Sequence, residues 1–343
     1  MTEFMITTRR VNNERAVGPP RYLTFDTAAG PEQDLGTSPR RWLAQLLATF
    51  PKRPSNPNGA DLVRVGDILF LVHGFNASHA AAKALHMKCA VGLAQAGWTG
   101  QLISYDWPSN GLVFAYLADR ANARAAASAL VTGGVRVLEQ AQQADCQIDV
   151  HVLAHSMGAF VAQQAFTWAY QDVPPDWKIG QLLMAAADVD WTVFSAGHFS
   201  AQMFAKHAGR LTAYCNGYDK ALMVSNAKRL DLAPRMGRVG LPDDTPAMMC
   251  EVDCTAFFDK AYPDLADQLS PEVTHCFYFD QPEFWADVTL TLAGGIDRNV
   301  FPTRTSTGVA NRFALKPEGA DPARFTLALN RAASSPSIVP PAP

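Results

Sequence analysis

The stretch VHVLAHSMGAFVAQQAF, residues 150–166, decides the fold. An apolar run ends at Ser156, and a pattern with helical spacing follows. In AHSMG, residues 154–158, the serine stands two residues after one small residue and two before another. A sharp turn from a strand into a helix brings the residues around such a serine close together, so they must be small. We therefore expect a strand, a tight turn at Ser156 and a helix.

Strand-like and helical segments alternate along the rest of the chain. GDILFLVHG (66–74) and GQLISYDWPS (100–109) are strand-like, and a stretch of helical spacing over 78–97 lies between them. Three later strand candidates are IGQLLMAAADVD (179–190), RLTAYCNGYD (210–219) and AMMCEVDCT (247–255). Such alternation predicts βαβ units, hence an α/β fold with a mostly parallel central sheet and helices on both faces.

The composition suggests three parts of unequal size. Residues 61–330 carry the alternating pattern and form the predicted α/β domain. Residues 1–60 are mixed, and we expect an extension that packs on this core, either as strands at the edge of the sheet or as a cover over one side of the site. Residues 331–343 have the Pro, Ala and Ser content of a linker, which predicts a loose tail.

Charge and hydropathy exclude several classes of partner. The 343 residues are 48% hydrophobic and 18% charged with a formal net charge of −3, and no Lys/Arg run indicates a nucleic-acid partner. No apolar run approaches the roughly 20 residues of a membrane span. The pair Arg9-Arg10 is not followed by the apolar region of a secretion signal, so we expect a cytoplasmic protein.

The cysteines predict neither a disulfide framework nor a metal site. Cys250, Cys254, His275 and Cys276 fit no standard zinc spacing, so we expect reduced, buried thiols and no metal. No cofactor is expected. The sequence leaves the oligomeric state open.

Ser156 is a candidate nucleophile, because a helix that begins directly after it points its N-terminal amides and dipole at the site. Acyl transfer also needs two donors for the developing oxyanion. The backbone N–H groups of Met157 and of Phe75, in the turn HGFN after an earlier strand, are the candidates. The alternative is an ordinary glycine turn at HGFN and an ordinary polar residue at Ser156.

A serine hydroxyl is a poor nucleophile unless a base removes its proton. Of the eight histidines, His275 follows the last strand candidate, which fits the order serine, acid, histidine of one class of serine hydrolases. Asp219 ends a late strand candidate and is the preferred acid, with Asp188 and Asp190 as alternatives. All three aspartates also suit a helix N-cap or a hydrogen-bonded turn.

Aromatic residues near these positions are candidates for a substrate pocket. In the segment 190–209, Phe194, Phe199 and Phe204 are suited to line a small helical cap or, alternatively, to belong to an amphipathic helix that packs on the sheet. Trp107, at the end of a strand candidate, is either a pocket wall or a core tryptophan.

Several motifs in this order resemble those of a bacterial α/β-hydrolase family catalogued as a domain of unknown function. They are VHGFN, YDWPS, AHSMG, AADVD, YDKALMVSNAKR, RMGRVG and THCFYF, between about residue 66 and about residue 290. The resemblance implies the α/β-hydrolase fold and a triad of Ser156, Asp219 and His275. Two departures are Ala154, where the turn usually has its first glycine, and the absence of the glycine often seen before the histidine.

These observations favour a serine hydrolase acting on small carboxylic esters, similar to a carboxylesterase or lipase. Thioesterases, lactonases, acyltransferases and peptidases use the same groups, so they remain alternatives. A catalytically silent binding protein on the same fold is the alternative from another class.

Overall fold

The computed structural model describes residues 2–54, 62–109, 116–141, 146–172, 177–229, 233–263 and 269–317. The boundary expected at residue 60 and the tail expected over 331–343 lie outside these ranges. The strands are β1 (Glu3–Arg10), β2 (Asn13–Phe25), β3 (Glu32–Asp34), β4 (Lys52–Pro54), β5 (Leu62–Val72), β6 (Gln101–Asp106), β7 (Cys146–His155), β8 (Ile179–Ala185), β9 (Ala208–Cys215), β10 (Met249–Asp253), β11 (Arg304–Ser306) and β12 (Arg312–Leu315).

The helices alternate with these strands through the middle of the chain. They are α1 (Pro39–Ala48), α2 (His79–Gln95), α3 (Tyr116–Leu130), α4 (Arg136–Ala141), α5 (Met157–Asp172), α6 (Phe199–His207), α7 (Lys220–Arg229), α8 (Met236–Val239), α9 (Thr255–Ala261), α10 (Pro271–Cys276) and α11 (Pro282–Ala293). A π-helical turn joins α3 to α4 at Val131–Val135, where the pair Gly133-Gly134 interrupts the helical pattern. No helix in the described part of the chain is long and apolar enough to cross a membrane.

The strands form one mixed sheet in the order β11-β12-β10-β9-β8-β7-β5-β6-β1-β2-β3, and β4 pairs with β5. From β12 to β1 all neighbours in this order are parallel. The pairs β11–β12, β1–β2, β2–β3 and β4–β5 are antiparallel. This arrangement confirms the predicted α/β class with a mostly parallel sheet.

The centre of the sheet is buried on both faces. Along β5, Ile68, Phe70 and Val72 belong to a core cluster with residues of α1, α3 and α5. Leu69 and Leu71, which alternate with them, belong to a second cluster with residues of α2 and α11. A strand covered by helices on both faces reads as a continuous apolar run, and this is why DILFLV carries no polar alternation.

The first part of the chain extends the sheet. β1 lies parallel to β6, with Thr7 opposite Asp106, and β2 and β3 continue outward as antiparallel strands. At the other edge, β12 pairs with β10 and carries β11. The sequence did not indicate this second extension, because β11 and β12 are only three and four residues long.

The segment 190–209, where we expected either a small cap or a packing helix, contains α6 on the crossover from β8 to β9. Phe194 and Phe204 have no exposed surface and lie in the core cluster that contains α5. Their rings stack with centroids 5.7 Å apart. The second alternative, an amphipathic helix that packs on the sheet, therefore describes α6.

Candidate active site

Ser156 occupies the turn between β7 and α5 in a left-handed backbone conformation, with φ of +54°. Its N–H donates to the carbonyl of Ala185 over 3.0 Å, and its carbonyl accepts from the N–H of Asp188 over 3.0 Å. A residue other than glycine in this region costs on the order of 1–3 kcal/mol, and such residues cluster at functional sites. These two hydrogen bonds, to the end of β8 and to the segment directly after it, hold the serine in this conformation.

Two glycines permit the close packing that the turn requires. A Cβ on Gly158 would lie 2.2 Å from the carbonyl oxygen of Val72, which is a backbone atom and cannot move aside cheaply. A Cβ on Gly74 would lie 2.8 Å from Cβ of Ser156. The turn after β5 is therefore in direct contact with the turn after β7.

His275 and Asp219 form a short, buried hydrogen bond. Nδ1 of His275 lies 2.6 Å from Oδ2 of Asp219. Because a carboxylate only accepts, Nδ1 carries the proton and donates it, and the lone pair is on Nε2. Asp219 directly precedes α7, and its Oδ1 accepts from the N–H of Leu222 over 2.9 Å. The same carboxylate thus caps a helix and orients an imidazole.

His275 lies near the end of the short helix α10 and not on an open loop. Ser270 caps this helix by accepting from the N–H of Val273.

Two hydrogen bonds join α10 to the segment that carries Asp219. The side-chain amide of Asn216 donates to the carbonyl of Thr274, and the N–H of Lys220 donates to the hydroxyl of Thr274. These bonds fix the position of His275 relative to Asp219.

His155, next to the serine, contacts the backbone and the ring of His275. Its Nε2 lies 3.2 Å from the carbonyl oxygen of His275, and the two rings have centroids 4.8 Å apart. Burial, with a smaller contribution from the nearby charge of His275, lowers the pKa of His155 to about 3. His155 is therefore neutral and donates through Nε2–H. The sequence did not indicate this contact.

The pKa of His275 is raised above its ordinary value. Burial alone would lower the pKa, but the charge and hydrogen bond of Asp219, with a smaller contribution from Asp188, outweigh it. An imidazole in this state is a stronger base than a free histidine.

The two alternative acids have other partners. Oδ1 of Asp188 accepts from the hydroxyl of Ser225 over 2.9 Å and lies 3.5 Å from Nε of Arg235. Asp190 caps the turn at Trp191–Phe194 by accepting from the N–H of Thr192. The structure thus brings Asp219, and neither of the alternatives, into hydrogen-bond contact with His275.

The proposed oxyanion donors lie on the two turns that touch. Met157 is the first residue of α5, and the N–H groups in the first turn of a helix have no partner within the helix. Phe75 follows Gly74, which packs against the serine. Asn76, the next residue, has φ of +61°, so this turn is tightly wound.

The sequence did not single out a second buried carboxylate, that of Asp106. It contacts His73 and His79, which flank the turn after β5. Asp106 ends β6 and is fully buried. Its oxygens lie 2.8 Å from Nε of Arg9, 3.1 Å from Nε2 of His73 and 2.7 Å from Nδ1 of His79. Thr7 also donates to it over 2.9 Å. The available signal was an aspartate at the carboxyl end of a central strand, in YDWPS.

These partners decide the charge of the group. Burial alone would raise the pKa of Asp106, but hydrogen bonds from His73 and His79 and the charge of Arg9 hold it well below its usual range. Burial would likewise lower the pKa of His79, yet its bonds to Asp106 and Glu32 raise it to about 9. Asp106 is therefore ionised at neutral pH.

The structure places Trp107 in the core and Phe199 at the surface. Trp107 has no exposed surface, stacks on the ring of His73 and donates to the carbonyl of His73 over 2.8 Å. Phe199 is 43% exposed. The rings of Phe194 and Phe204 are enclosed like that of Trp107, so Phe199 is the one of these four aromatic candidates that meets solvent.

Within the described ranges, no cluster of three or more His, Cys, Asp or Glu side chains is arranged to hold a metal ion. Cys89, Cys215, Cys250 and Cys254 are buried free thiols, and Cys276 is half-buried. Burial raises the pKa of Cys276 to about 12, so it is a protonated thiol at neutral pH.

Comparison with protein families identifies a family for this chain. A family described as an alpha/beta hydrolase of unknown function, DUF900, matches residues 60–275. The matched region begins before β5 and ends at His275, so it contains both turns and the Asp219–His275 pair. A search of curated proteins and a search of solved structures found no match.

Proposed function

The chain belongs to this α/β-hydrolase family, and we propose that it is a serine hydrolase that cleaves carboxylic esters. The observation that carries the proposal is the hydrogen bond of 2.6 Å between His275 and Asp219, on segments that also contact the Ser156 turn. This bond fixes the imidazole tautomer with its lone pair on Nε2, as a general base requires.

The reaction proceeds in two halves. Oγ of Ser156 attacks the ester carbonyl carbon while Nε2 of His275 takes the hydroxyl proton. The negative charge that develops on the carbonyl oxygen is stabilised by the N–H groups of Phe75 and Met157. Collapse of the tetrahedral species breaks the bond to the alkoxy group, which leaves with the proton from His275. A water molecule then attacks the acyl-enzyme by the same route and releases the acid.

Asp219 supports both halves without exchanging protons. Its carboxylate holds Nδ1–H of His275 and stabilises the imidazolium that forms after proton transfer. The raised pKa of His275 agrees with this role, because it reports a stabilised cation. The buried, neutral His155 adds no competing positive charge beside it.

The first test is hydrolysis of p-nitrophenyl esters from acetate to laurate. Ser156→Ala should lose at least about four orders of magnitude in kcat, as expected when a nucleophile is removed. Ser200→Ala is the matched control, because Ser200 is a buried serine on α6 that contacts Gln163. It should retain wild-type activity.

The pattern of activity also separates the alternatives. Turnover of thioesters, lactones or amides but not of esters, lost in Ser156→Ala, would keep the serine mechanism and replace the substrate class. A folded wild-type protein with no turnover, and with no labelling of Ser156 by a fluorophosphonate, would overturn the proposal in favour of a silent binding protein.

A further inference from the structure

Residues 73–79, here called the donor loop, run from the end of β5 to the start of α2 and include Phe75. Gly74 in this loop packs against Cβ of Ser156. An oxyanion hole acts through donors that are already in place, so a shift of the loop of about 1 Å is enough to cost on the order of 100-fold in rate. The side chains that fix the position of the donor loop therefore affect the rate of the reaction.

Asp106 holds the donor loop at both ends. His73, its first residue, and His79, its last, each place a ring nitrogen within 3.1 Å of the carboxylate. The carboxylate itself is at the end of β6, the neighbouring strand in the sheet. This arrangement fixes the two ends of the loop but not its middle.

Arg9 contacts the middle, where the N–H of Ala77 also donates to Oγ of Ser109 over 3.3 Å. Nε of Arg9 donates to Oδ1 of Asp106 over 2.8 Å, and its Nη2 donates to the carbonyl of Ala77 over 2.7 Å. Its Nη1 donates to the carbonyl of Glu14 over 3.1 Å. One planar guanidinium thus joins the donor loop, the Asp106 carboxylate and the start of β2 in a fixed geometry.

Arg9 lies near the end of β1, where the pairing of β1 with β2 is irregular. Thr7 and Arg9 both contact Asp106. Arg10 is exposed and donates to the carbonyl of Val17. Of the two adjacent arginines, only Arg9 reaches the donor loop.

We propose that Arg9, supplied by β1 from outside the region matched by the family, is a positioning residue that fixes the donor loop for oxyanion stabilisation by the Phe75 N–H. The proposal rests on the proposed serine hydrolase function. It assigns the N-terminal strand a role in the reaction, in addition to its place at the edge of the sheet.

The test compares Arg9→Met, Arg9→Lys and, as the matched control, Arg10→Met. Each variant is assayed on a p-nitrophenyl ester beside wild type and Ser156→Ala, under conditions where urea unfolding shows it to be folded. A second measurement is the affinity for a trifluoromethyl ketone, which forms a tetrahedral adduct with an active serine. A third, independent of turnover, is hydrogen–deuterium exchange of peptides that cover residues 73–79.

Arg9→Met should lower kcat about 10- to 100-fold with KM changed less than about threefold, because the donors act on the transition state. The affinity for the ketone should fall in parallel, and exchange in the donor loop should increase. Arg9→Lys restores a charge beside Asp106 but lacks the planar fork that bonds Asp106, Ala77 and Glu14 in fixed directions, so it should recover stability more than kcat. Arg10→Met should match wild type in all three measurements.

Wild-type kcat and ketone affinity in folded Arg9→Met would overturn the inference while leaving the proposed function intact. A wild type without turnover or Ser156 labelling would instead remove the proposed function, and the catalytic part of the inference with it. In that case unchanged exchange of the donor loop in Arg9→Met would also disprove the structural part, and faster exchange would support it.

Discussion

Two buried aspartates lie on opposite sides of Ser156 and have different surroundings. Asp219 bonds one imidazole, that of His275, and one backbone N–H. Asp106 bonds the guanidinium of Arg9, two imidazoles and the hydroxyl of Thr7. Both carboxylates are fully buried, so burial does not distinguish them.

The number and kind of partners determine what each carboxylate can do. His275 has no second carboxylate bonded to its ring among the described contacts, so its Nε2 is available to take and return a proton. His79 bonds Asp106 through one nitrogen and Glu32 through the other, so both of its ring nitrogens are committed. The first arrangement suits proton transfer, and the second suits a rigid connection.

The largest effect that separates the two carboxylates is expected from Asp219→Asn. An asparagine still caps α7, but it no longer fixes the reactive tautomer of His275, so kcat should fall about 10⁴-fold. The free energy of unfolding should change by less than about 1 kcal/mol, because the cap is retained. Steady-state kinetics and urea unfolding measure the two quantities.

The pH profile of the same variant sharpens the test. Wild-type kcat/KM should rise with pH through a pKa above the ordinary histidine value of about 6.5, because His275 must be neutral to act as a base. In Asp219→Asn this pKa should move down. An unchanged profile would mean that another group titrates.

Asp106→Asn is expected to have a smaller effect on rate and a larger effect on stability. It leaves Arg9 buried without its counter-ion, which typically costs about 3–5 kcal/mol. Because the donor loop loses its anchor, kcat of the folded enzyme should fall about 10- to 100-fold. Urea unfolding and assays below the midpoint separate the two effects.

The buried ion pair of Asp287 and Arg304 supplies the matched control for Asp106→Asn. Asp287 on α11 bonds Arg304 through both oxygens and also accepts from the hydroxyl of Tyr214. These partners lie on β11 and β9, away from the donor loop. Asp287→Asn should destabilise the fold by a similar amount and leave kcat of the folded protein unchanged. Equal losses of kcat in both variants would contradict the assignment of Asp106 to the loop.

The smallest expected effect is the alkaline response of His79. Its pKa is raised to about 9 in the folded protein, so its contribution to stability is complete below the unfolded value of about 6.5 and is lost as pH rises through about 9. The free energy of unfolding should fall by about 1–2 kcal/mol over this interval, after allowance for solvent screening. His79→Gln should lack this decrease. A parallel decrease in the variant would assign it to another group.

The residues that sequence could predict are those whose position follows from chain order. Ser156 is in a pattern whose small residues have a steric reason, and Asp219 and His275 follow it in the expected order at the ends of predicted elements. The Arg9–Asp106 contact could not be predicted, because it joins residues 97 positions apart through the parallel pairing of β1 with β6. Nothing local in EFMITTRR or QLISYD specifies that neighbour.

The aromatic residues were ambiguous for a different reason. Trp107, Phe194 and Phe204 are large and apolar. Such side chains line substrate pockets and also fill hydrophobic cores, so the sequence does not distinguish the two locations. Only the packing of α6 on α5, and of Trp107 on His73, decides between them. Periodicity predicted the helix but not which of its neighbours covers it.

The most direct test of the central claim is to identify the residue that reacts with a fluorophosphonate by peptide mass spectrometry. If Ser156 is activated by His275 and Asp219, a single adduct should form on Ser156 in wild type, form much more slowly in Asp219→Asn, and be absent from Ser156→Ala. Folded wild-type protein without an adduct on Ser156, or equal labelling of Ser156→Ala, would contradict it.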